Sequence, residues 1–215
     1  MTVRSHRAVL AVVALAAVAV GVILIGRSPE PTDIPVADRC VAEPGATQRD
    51  VDTDDSPEAP WEHVPGQEVT VYFTTGELPP RYAAFVEEGA ALWSRSPCVE
   101  ALAVPECPDG ANCSTVVAEA REDSRSDDTD GESEGVDRAG VRLANTISLY
   151  TDVLDTQTDN GALATVVHEM GHALGLVHRD DPDSVMNAVT DDDTDPRPDA
   201  VDFANLVVLY GAQAG

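Results

Sequence analysis

The stretch "HEMGHALGLVH", residues 168–178, holds three of the five histidines in this 215-residue chain. His168 and His172 are four residues apart, so on a helix both imidazole rings lie on the same side. Gly175 can take the left-handed backbone conformation that commonly ends a helix. The chain can then reverse and bring His178 back towards the other two rings.

This spacing predicts a metal site that carries out chemistry. Three neutral imidazoles suit zinc, and a tetrahedral ion with three protein ligands keeps its fourth position for water, as catalytic zinc sites do. Glu169 adjoins the first histidine without being a ligand itself, so its carboxylate is the candidate general base. Because the full H-E-x-x-H-x-x-G-x-x-H string fixes five positions, we prefer this interpretation to incidental histidines on a helix.

The residues around the histidines predict an amphipathic helix. Asp159 or Asn160 can cap a helix that begins near Gly161. At 100° per residue, one narrow stripe nearly opposite the histidines consists of Leu163, Val167, Met170 and Leu174. One face is therefore expected to pack into a core while the other presents the imidazoles to a cleft.

The complete string resembles the signature of the metzincin clan of zinc endopeptidases. "DSVMN", residues 183–187, resembles the methionine turn of that clan, with Met186 as a supporting residue beneath the metal rather than a ligand. Within the clan the chain is most similar to matrixin-like and snapalysin-like bacterial members. "PDAVDFANLVVLYG", residues 198–211, resembles the C-terminal helix of matrixins. The resemblance spans roughly residues 69–211.

The resemblance implies an α+β, metzincin-like zincin fold. In that fold a twisted mixed β-sheet packs on an active-site helix, and a small C-terminal subdomain ends in a helix. The resemblance also implies one catalytic Zn²⁺, peptide-bond hydrolysis with Glu169 as general base, and a protein or peptide substrate. The implied metal ligands are His168, His172 and His178. Substrate is expected to add to the sheet edge as an antiparallel strand. Our candidate edge is residues 146–151, and residues 186–198 are expected to wall the pocket beyond the cleaved bond.

Two departures from relatives in the clan bear on the site. Snapalysin-like enzymes have Asp as the third ligand, whereas this chain has His178. Astacin-like and serralysin-like members have a Tyr two residues after the methionine, where this chain has Ala188. No match to the structural-zinc loop of matrixins is visible, so we expect no second zinc.

The preceding residues predict alternating strands and helices. "VTVYFT", residues 69–74, alternates as a strand does, and "PRYAAFVEEGAALWSRS", residues 80–96, has helical spacing after Pro79. Further strands are predicted at "STVVAEA", residues 114–120, and "TISLYTD", residues 146–152. Residues 96–113 are rich in Pro and Cys and predict a loop.

The acidic stretch "EDSRSDDTDGESEGVD", residues 122–137, predicts a solvated loop. Ca²⁺ binding is the alternative, because carboxylate oxygens are what that ion takes. The EF-hand spacing is not met, since position 126 is Ser, and we therefore favour the solvated loop.

The N-terminal residues predict export. Residues 8–26 carry no charge and follow Arg4 and Arg7, which is typical of a signal-anchor or a signal peptide in residues 1–26. The length favours an uncleaved single-pass membrane anchor. Residues 27–66 are acidic and Pro-rich, as in a stalk or propeptide, and residues 67–215 are the expected zinc metallopeptidase domain.

The four cysteines support an oxidising, extracellular location. Two disulfides are the default, and three pairings of Cys40, Cys98, Cys107 and Cys113 stay open. A latency switch in which Cys40 occupies the metal is a less favoured alternative. The formal net charge of −26 argues against binding nucleic acid. We expect a monomer.

Two further functions stay open beside an active endopeptidase. One is an inactive zinc-containing binding or regulatory protein of the cell surface. Glu169 speaks against it, because a decayed enzyme commonly loses its base. The other is a structural protein associated with peptidoglycan, which the acidic stalk fits and the three histidines do not.

Overall fold

A five-stranded mixed β-sheet forms the centre of the computed structural model, which describes residues 40–55, 58–121 and 129–213. In chain order the elements are β1 (Val41–Ala42), β2 (Val69–Thr74), α1 (Pro80–Trp93), β3 (Val99–Val104), β4 (Cys113–Glu119), β5 (Gly131–Arg138), β6 (Val141–Tyr150), α2 (Thr151–Leu154), α3 (Asp159–Ala173), α4 (Ala200–Tyr210) and β7 (Ala212–Gln213). All described residues belong to one compact unit.

The strand order of the sheet is β3-β2-β4-β6-β5. The first four strands run parallel, and β5 runs antiparallel to β6 at one edge. A separate two-stranded parallel sheet joins β1 to β7. Helix α1 packs against α3 and β3, while α3 also contacts β5 and β6. This arrangement confirms the predicted α+β class, with a mixed sheet on a central helix and a C-terminal helix.

Several predicted elements are present with the expected packing. Strand β2 buries Val69, Val71 and Phe73 on alternate positions. Helix α1 begins at Pro80, as the paired prolines predicted, and α4 occupies the predicted C-terminal position. In the sheet, therefore, the period-2 pattern identified the core-facing side correctly.

Two segments that were predicted to be loops are strands in the structure. Strand β3 lies within the Pro- and Cys-rich residues 96–113, where the flanking prolines obscured a six-residue run that is apolar except for Glu100. Strand β5 lies within the acidic residues 122–137, and its last five residues are exposed. A strand with one solvated side can carry charges, and charged residues are common on edge strands because they discourage pairing with other molecules.

The predicted substrate edge, residues 146–151, is wrong. Those residues fall in β6 and the start of α2, and β6 is hydrogen-bonded to β4 on one side and β5 on the other. The edge strand beside α3 is β5, whose acidic composition had predicted a loop instead. Residues 122–128 of the acidic stretch lie outside the described residues.

The described part of residues 27–66 is not a detached stalk. Cys40 is disulfide-bonded to Cys98, and Trp61 is fully buried with its Nε1–H donating to the carbonyl of Ala173 at 2.7 Å. The folded unit therefore includes residues 40–55 and 58–66, and it does not begin at Gln67. Pro and Asp enrichment resembled a linker because the few anchoring residues are far apart in sequence.

The second disulfide joins Cys107 to Cys113, so all four cysteines are paired. Because Cys40 is oxidised, it cannot act as a thiol that occupies a metal. The apolar residues 8–26 lie outside the described residues, and within the described ranges no helix has the length and hydrophobicity to cross a bilayer.

Candidate metal centre

Helix α3 carries the first two histidines, and its start is fixed by Thr158. The Thr158 hydroxyl accepts from the Gly161 N–H at 3.2 Å, while Asp192 Oδ1 accepts from the Thr158 backbone at 2.9 Å. The helix therefore begins at Asp159, because Thr158 rather than Asp159 or Asn160 is the cap. The helix therefore starts two residues before Gly161, the start expected from the sequence.

The far side of α3 is anchored in the core. Leu163, Val167, Met170 and Leu174 are all buried, as the predicted stripe requires. Trp93 of α1 donates its Nε1–H to the carbonyl of Val167 at 3.0 Å. The position of the histidines is therefore set by the burial of the apolar side chains of α3 and by a hydrogen bond to its backbone.

The carbonyls that end α3 are satisfied by buried side chains. Arg142 donates to the carbonyl of His172 at 2.7 Å, and the Tyr210 hydroxyl donates to the carbonyl of Leu174 at 2.7 Å. Gly175 follows with a φ of 95°, the left-handed conformation expected there. The chain reverses at this residue and returns His178 to the cleft.

The three imidazoles converge on one point. Nε2 of His172 lies 3.0 Å from Nε2 of His168 and 3.2 Å from Nε2 of His178. A tetrahedral zinc with bonds of about 2.0–2.1 Å separates its nitrogen ligands by about 3.3 Å, close to these values. Among the described residues, these histidines form the one such group of three, and the acidic stretches give no support for calcium.

The other ring nitrogen of each histidine faces an acceptor. Nδ1 lies 2.7 Å from the Val185 carbonyl in His168 and 2.8 Å from the Leu176 carbonyl in His172. In His178 the acceptor is Asp55 Oδ2, 3.1 Å from Nδ1. Because these oxygens accept hydrogen bonds, the proton belongs on Nδ1, which leaves each Nε2 lone pair directed at the shared point.

Burial keeps the first two histidines neutral. The pKa of His168 lies well below its usual value, first because of desolvation and then because of the neighbouring His172. Desolvation also lowers the pKa of His172 to about 4. A metal ligand must be unprotonated, so this donor set fits a divalent cation at neutral pH.

Glu169 lies in the same cleft and is buried against the edge strand, with its side chain packed on Gly131. Desolvation, followed by the nearby carboxylates of Glu132 and Asp130, raises the pKa of Glu169 to about 8. The carboxyl group therefore binds a proton more readily than an exposed glutamate does. A carboxyl group whose pKa lies near neutrality can both accept and release a proton.

The cleft that contains these side chains has a volume of about 670 Å³. Residues 129–133 at the start of the edge strand form one wall, and residues 188–190 form another. The second wall belongs to the loop that was expected to line a pocket. Ala188 lies there in place of a tyrosine.

Met186 is fully buried. Its sulfur lies directly against Gly171, and its carbonyl accepts from the backbone N–H of Arg179 at 2.8 Å. The methionine turn therefore contacts both the helix and the residue that follows the third histidine.

Sequence reasoning missed the side chains that surround these ligands. Asp55 contacts His178, and the buried guanidinium of Arg142 contacts the backbone of His172. Arg179 is also buried, where its charge is met by carboxylates of Asp50, Asp181, Asp199 and Asp202. Apart from Asp181, these partners are distant in sequence, so local spacing could not have identified them.

Comparison with known proteins agrees with this geometry. The family model described as Matrixin matches residues 103–211, which is half of the chain and includes all three histidines, Glu169 and Met186. No curated protein matches the chain. Because the family match covers half of the chain, including the histidine segment and strands β4, β5 and β6, the chain belongs to the matrixin family.

Proposed function

We propose that this matrixin is a zinc-dependent endopeptidase that acts outside the cytoplasm. Family membership implies zinc metalloendopeptidase activity. The observation that carries the proposal is the convergence of three Nε2 atoms within 4.8 Å of one another, each with its Nδ1 facing an acceptor. In this proposal the ligands of one Zn²⁺ are His168, His172 and His178.

When bound, the zinc polarises the scissile carbonyl and lowers the pKa of the attacking water. With zinc in place, the ionised form of Glu169 would take a proton from the attacking water on a carboxylate oxygen and deliver it to the leaving amine. Its burial beside β5 keeps this proton away from bulk solvent. Met186 supports the site from below without binding the ion.

The substrate backbone pairs with β5. Gly131, Glu132 and Ser133 line the cleft, and β5 is paired with β6 along its other side. An extended peptide that adds to this edge gains main-chain hydrogen bonds, as in other cases of β-strand addition. Residues 188–190 then contact the substrate on the side of the cleft opposite β5.

The disulfides support the location. Cys40–Cys98 and Cys107–Cys113 are expected to persist outside the cytoplasm, where thiols are not kept reduced. Whether residues 8–26 form a membrane anchor or a cleaved signal is a separate question, and both alternatives export the domain.

Cleavage of casein by the full chain, with and without a zinc chelator, tests the proposal. We expect cleavage that the chelator abolishes and added zinc restores. The Glu169→Gln variant should keep the zinc and lower kcat/KM by about 10²-fold or more, because it cannot accept the proton. Glu87→Gln, on the exposed face of α1, is the matched control. A Glu169→Gln variant that cleaves as fast as the wild type would show that Glu169 is not the general base.

A wild-type chain that binds zinc and cleaves no member of a broad peptide set would favour the alternative of a binding protein.

A further inference from the structure

A short segment before the sheet runs along the third histidine and the end of α3. This N-terminal strap comprises residues 50–55 and 58–61 of the described chain. The Asp52 N–H donates to the carbonyl of His178 at 2.9 Å, and the Arg142 N–H donates to the carbonyl of Pro60 at 2.8 Å. The strap therefore contacts the backbone of the third histidine and that of strand β6.

The strap is fixed at each end by a buried arginine. Asp50 Oδ2 accepts from Arg179 Nε at 3.1 Å, and Glu58 pairs with the guanidinium of Arg142. Trp61 then fixes the end of the strap at the C-terminus of α3. The position of Asp55, between these anchors, is therefore set by several long-range contacts.

Asp55 holds the third histidine at two points. Its Oδ2 accepts from the His178 backbone N–H at 3.0 Å and lies 3.1 Å from the Nδ1 of the ring. The other two histidines use backbone carbonyls that lie 17 and 4 residues later in the chain, at Val185 and Leu176. His178 instead depends on a carboxylate 123 residues earlier in the chain.

His178 also needs such a partner more than the others do. It lies beyond the end of α3, and its side chain is 30% exposed, whereas His168 is buried. A carboxylate that accepts from Nδ1 fixes the tautomer and the ring orientation and makes Nε2 a stronger donor to a metal.

We propose that Asp55 is a positioning residue for the third metal ligand and that the N-terminal strap is part of the metal centre. The strap is then neither a stalk nor a propeptide that can be removed. This inference rests on the proposed zinc-binding role of the three histidines.

Zinc affinity of the full chain, measured by competition with a chelating dye, tests the inference. Asp55→Asn keeps the size of the side chain and an acceptor for the backbone N–H, but it loses the charge that faces Nδ1. We expect zinc to bind about 10- to 100-fold more weakly, the usual cost of removing such a partner. The matched control is Asp109→Asn, an exposed aspartate outside the strap with the same change of charge, which should stay within about twofold of wild type.

A double-mutant cycle separates positioning from a general effect on the fold. If Asp55 acts through His178, Asp55→Asn should weaken zinc binding no further in a His178→Ala background. An equal loss in both backgrounds would overturn the inference. So would wild-type affinity in Asp55→Asn, and in that case the proposed function would stand, because the wild type still binds zinc. A wild-type chain that binds no zinc would instead contradict both this inference and the proposed function.

A measurement on the unmutated protein covers the case in which Asp55→Asn does not fold. In the zinc-loaded wild type labelled with ¹⁵N-histidine, we expect His178 to carry a slowly exchanging proton on Nδ1. Coordination of the metal through Nδ1 of His178 would overturn the inference.

Discussion

Because Gly171 has no side chain, the methionine turn can pack closely against helix α3. A Cβ at this position would overlap the sulfur of Met186 and lie 2.9 Å from the ring of Trp93. The glycine therefore allows Met186 to lie directly under the histidine-bearing turn. Helix propensity alone would favour alanine here by about 0.5–1 kcal/mol.

We predict that Gly171→Ala destabilises the protein by about 1–3 kcal/mol, because the overlap outweighs the gain in propensity. Urea unfolding of the full chain measures the effect. Ala84→Gly on the exposed face of α1 is the control, where alanine should be preferred as in an ordinary helix. A Gly171→Ala variant as stable as wild type would show that Met186 moves aside at no cost.

At the same scale, local spacing could identify the residues that meet in the cleft. His168, Glu169, His172 and His178 lie within eleven residues, and helix periodicity with one glycine turn places them together. Asp55 could not be predicted this way. Its contact with His178 depends on the path of a segment whose composition resembles a linker.

Among the elements, edge strand β5 was the hardest to predict. Its sequence, "GESEGVDR", has no alternating apolar pattern, because only its first residue is buried and its last five are exposed. Gly135 leaves the space that the guanidinium of Arg142 occupies. Composition alone therefore predicted a loop where tertiary pairing with β6 makes a strand.

The two disulfides should differ in their contribution to stability. Cys40–Cys98 closes a separation of 58 residues and ties the N-terminal segment to the sheet, whereas Cys107–Cys113 closes a separation of 6. Loop-closure entropy assigns about 4 kcal/mol to the first and about 2 kcal/mol to the second.

We therefore predict that Cys40→Ser/Cys98→Ser lowers the free energy of unfolding more than Cys107→Ser/Cys113→Ser does. Urea unfolding of the two double variants provides the comparison, and each serves as the control for the other. Equal losses would mean that the N-terminal segment is held by its other contacts alone.

Over the whole molecule, acidic residues exceed basic ones by 39 to 13. Among the described residues, the two buried arginines, Arg142 and Arg179, each pair with carboxylates, so part of the positive charge lies inside the fold. The remaining surface carries a large excess of negative charge that repels itself. Net charge and fold class could both be derived from the sequence, but the burial of Arg142 and Arg179 among carboxylates could not.

Screening of this repulsion should stabilise the protein. Between about 0.01 and 0.3 M NaCl the screening length falls from about 30 Å to less than 10 Å, and we expect the urea midpoint to rise. Choline chloride should produce the same rise, which separates screening from sodium binding. A midpoint that falls with salt would show that surface ion pairs outweigh the net repulsion.

The most direct test of the central claim is X-ray absorption at the zinc edge of the zinc-loaded full chain, together with its metal content. We predict one zinc per chain with three imidazole nitrogens at about 2.0–2.1 Å and one further light atom. His178→Ala should remove one imidazole from that shell. A folded chain without stoichiometric zinc, or a zinc with fewer than three imidazoles in the wild type, would contradict the account.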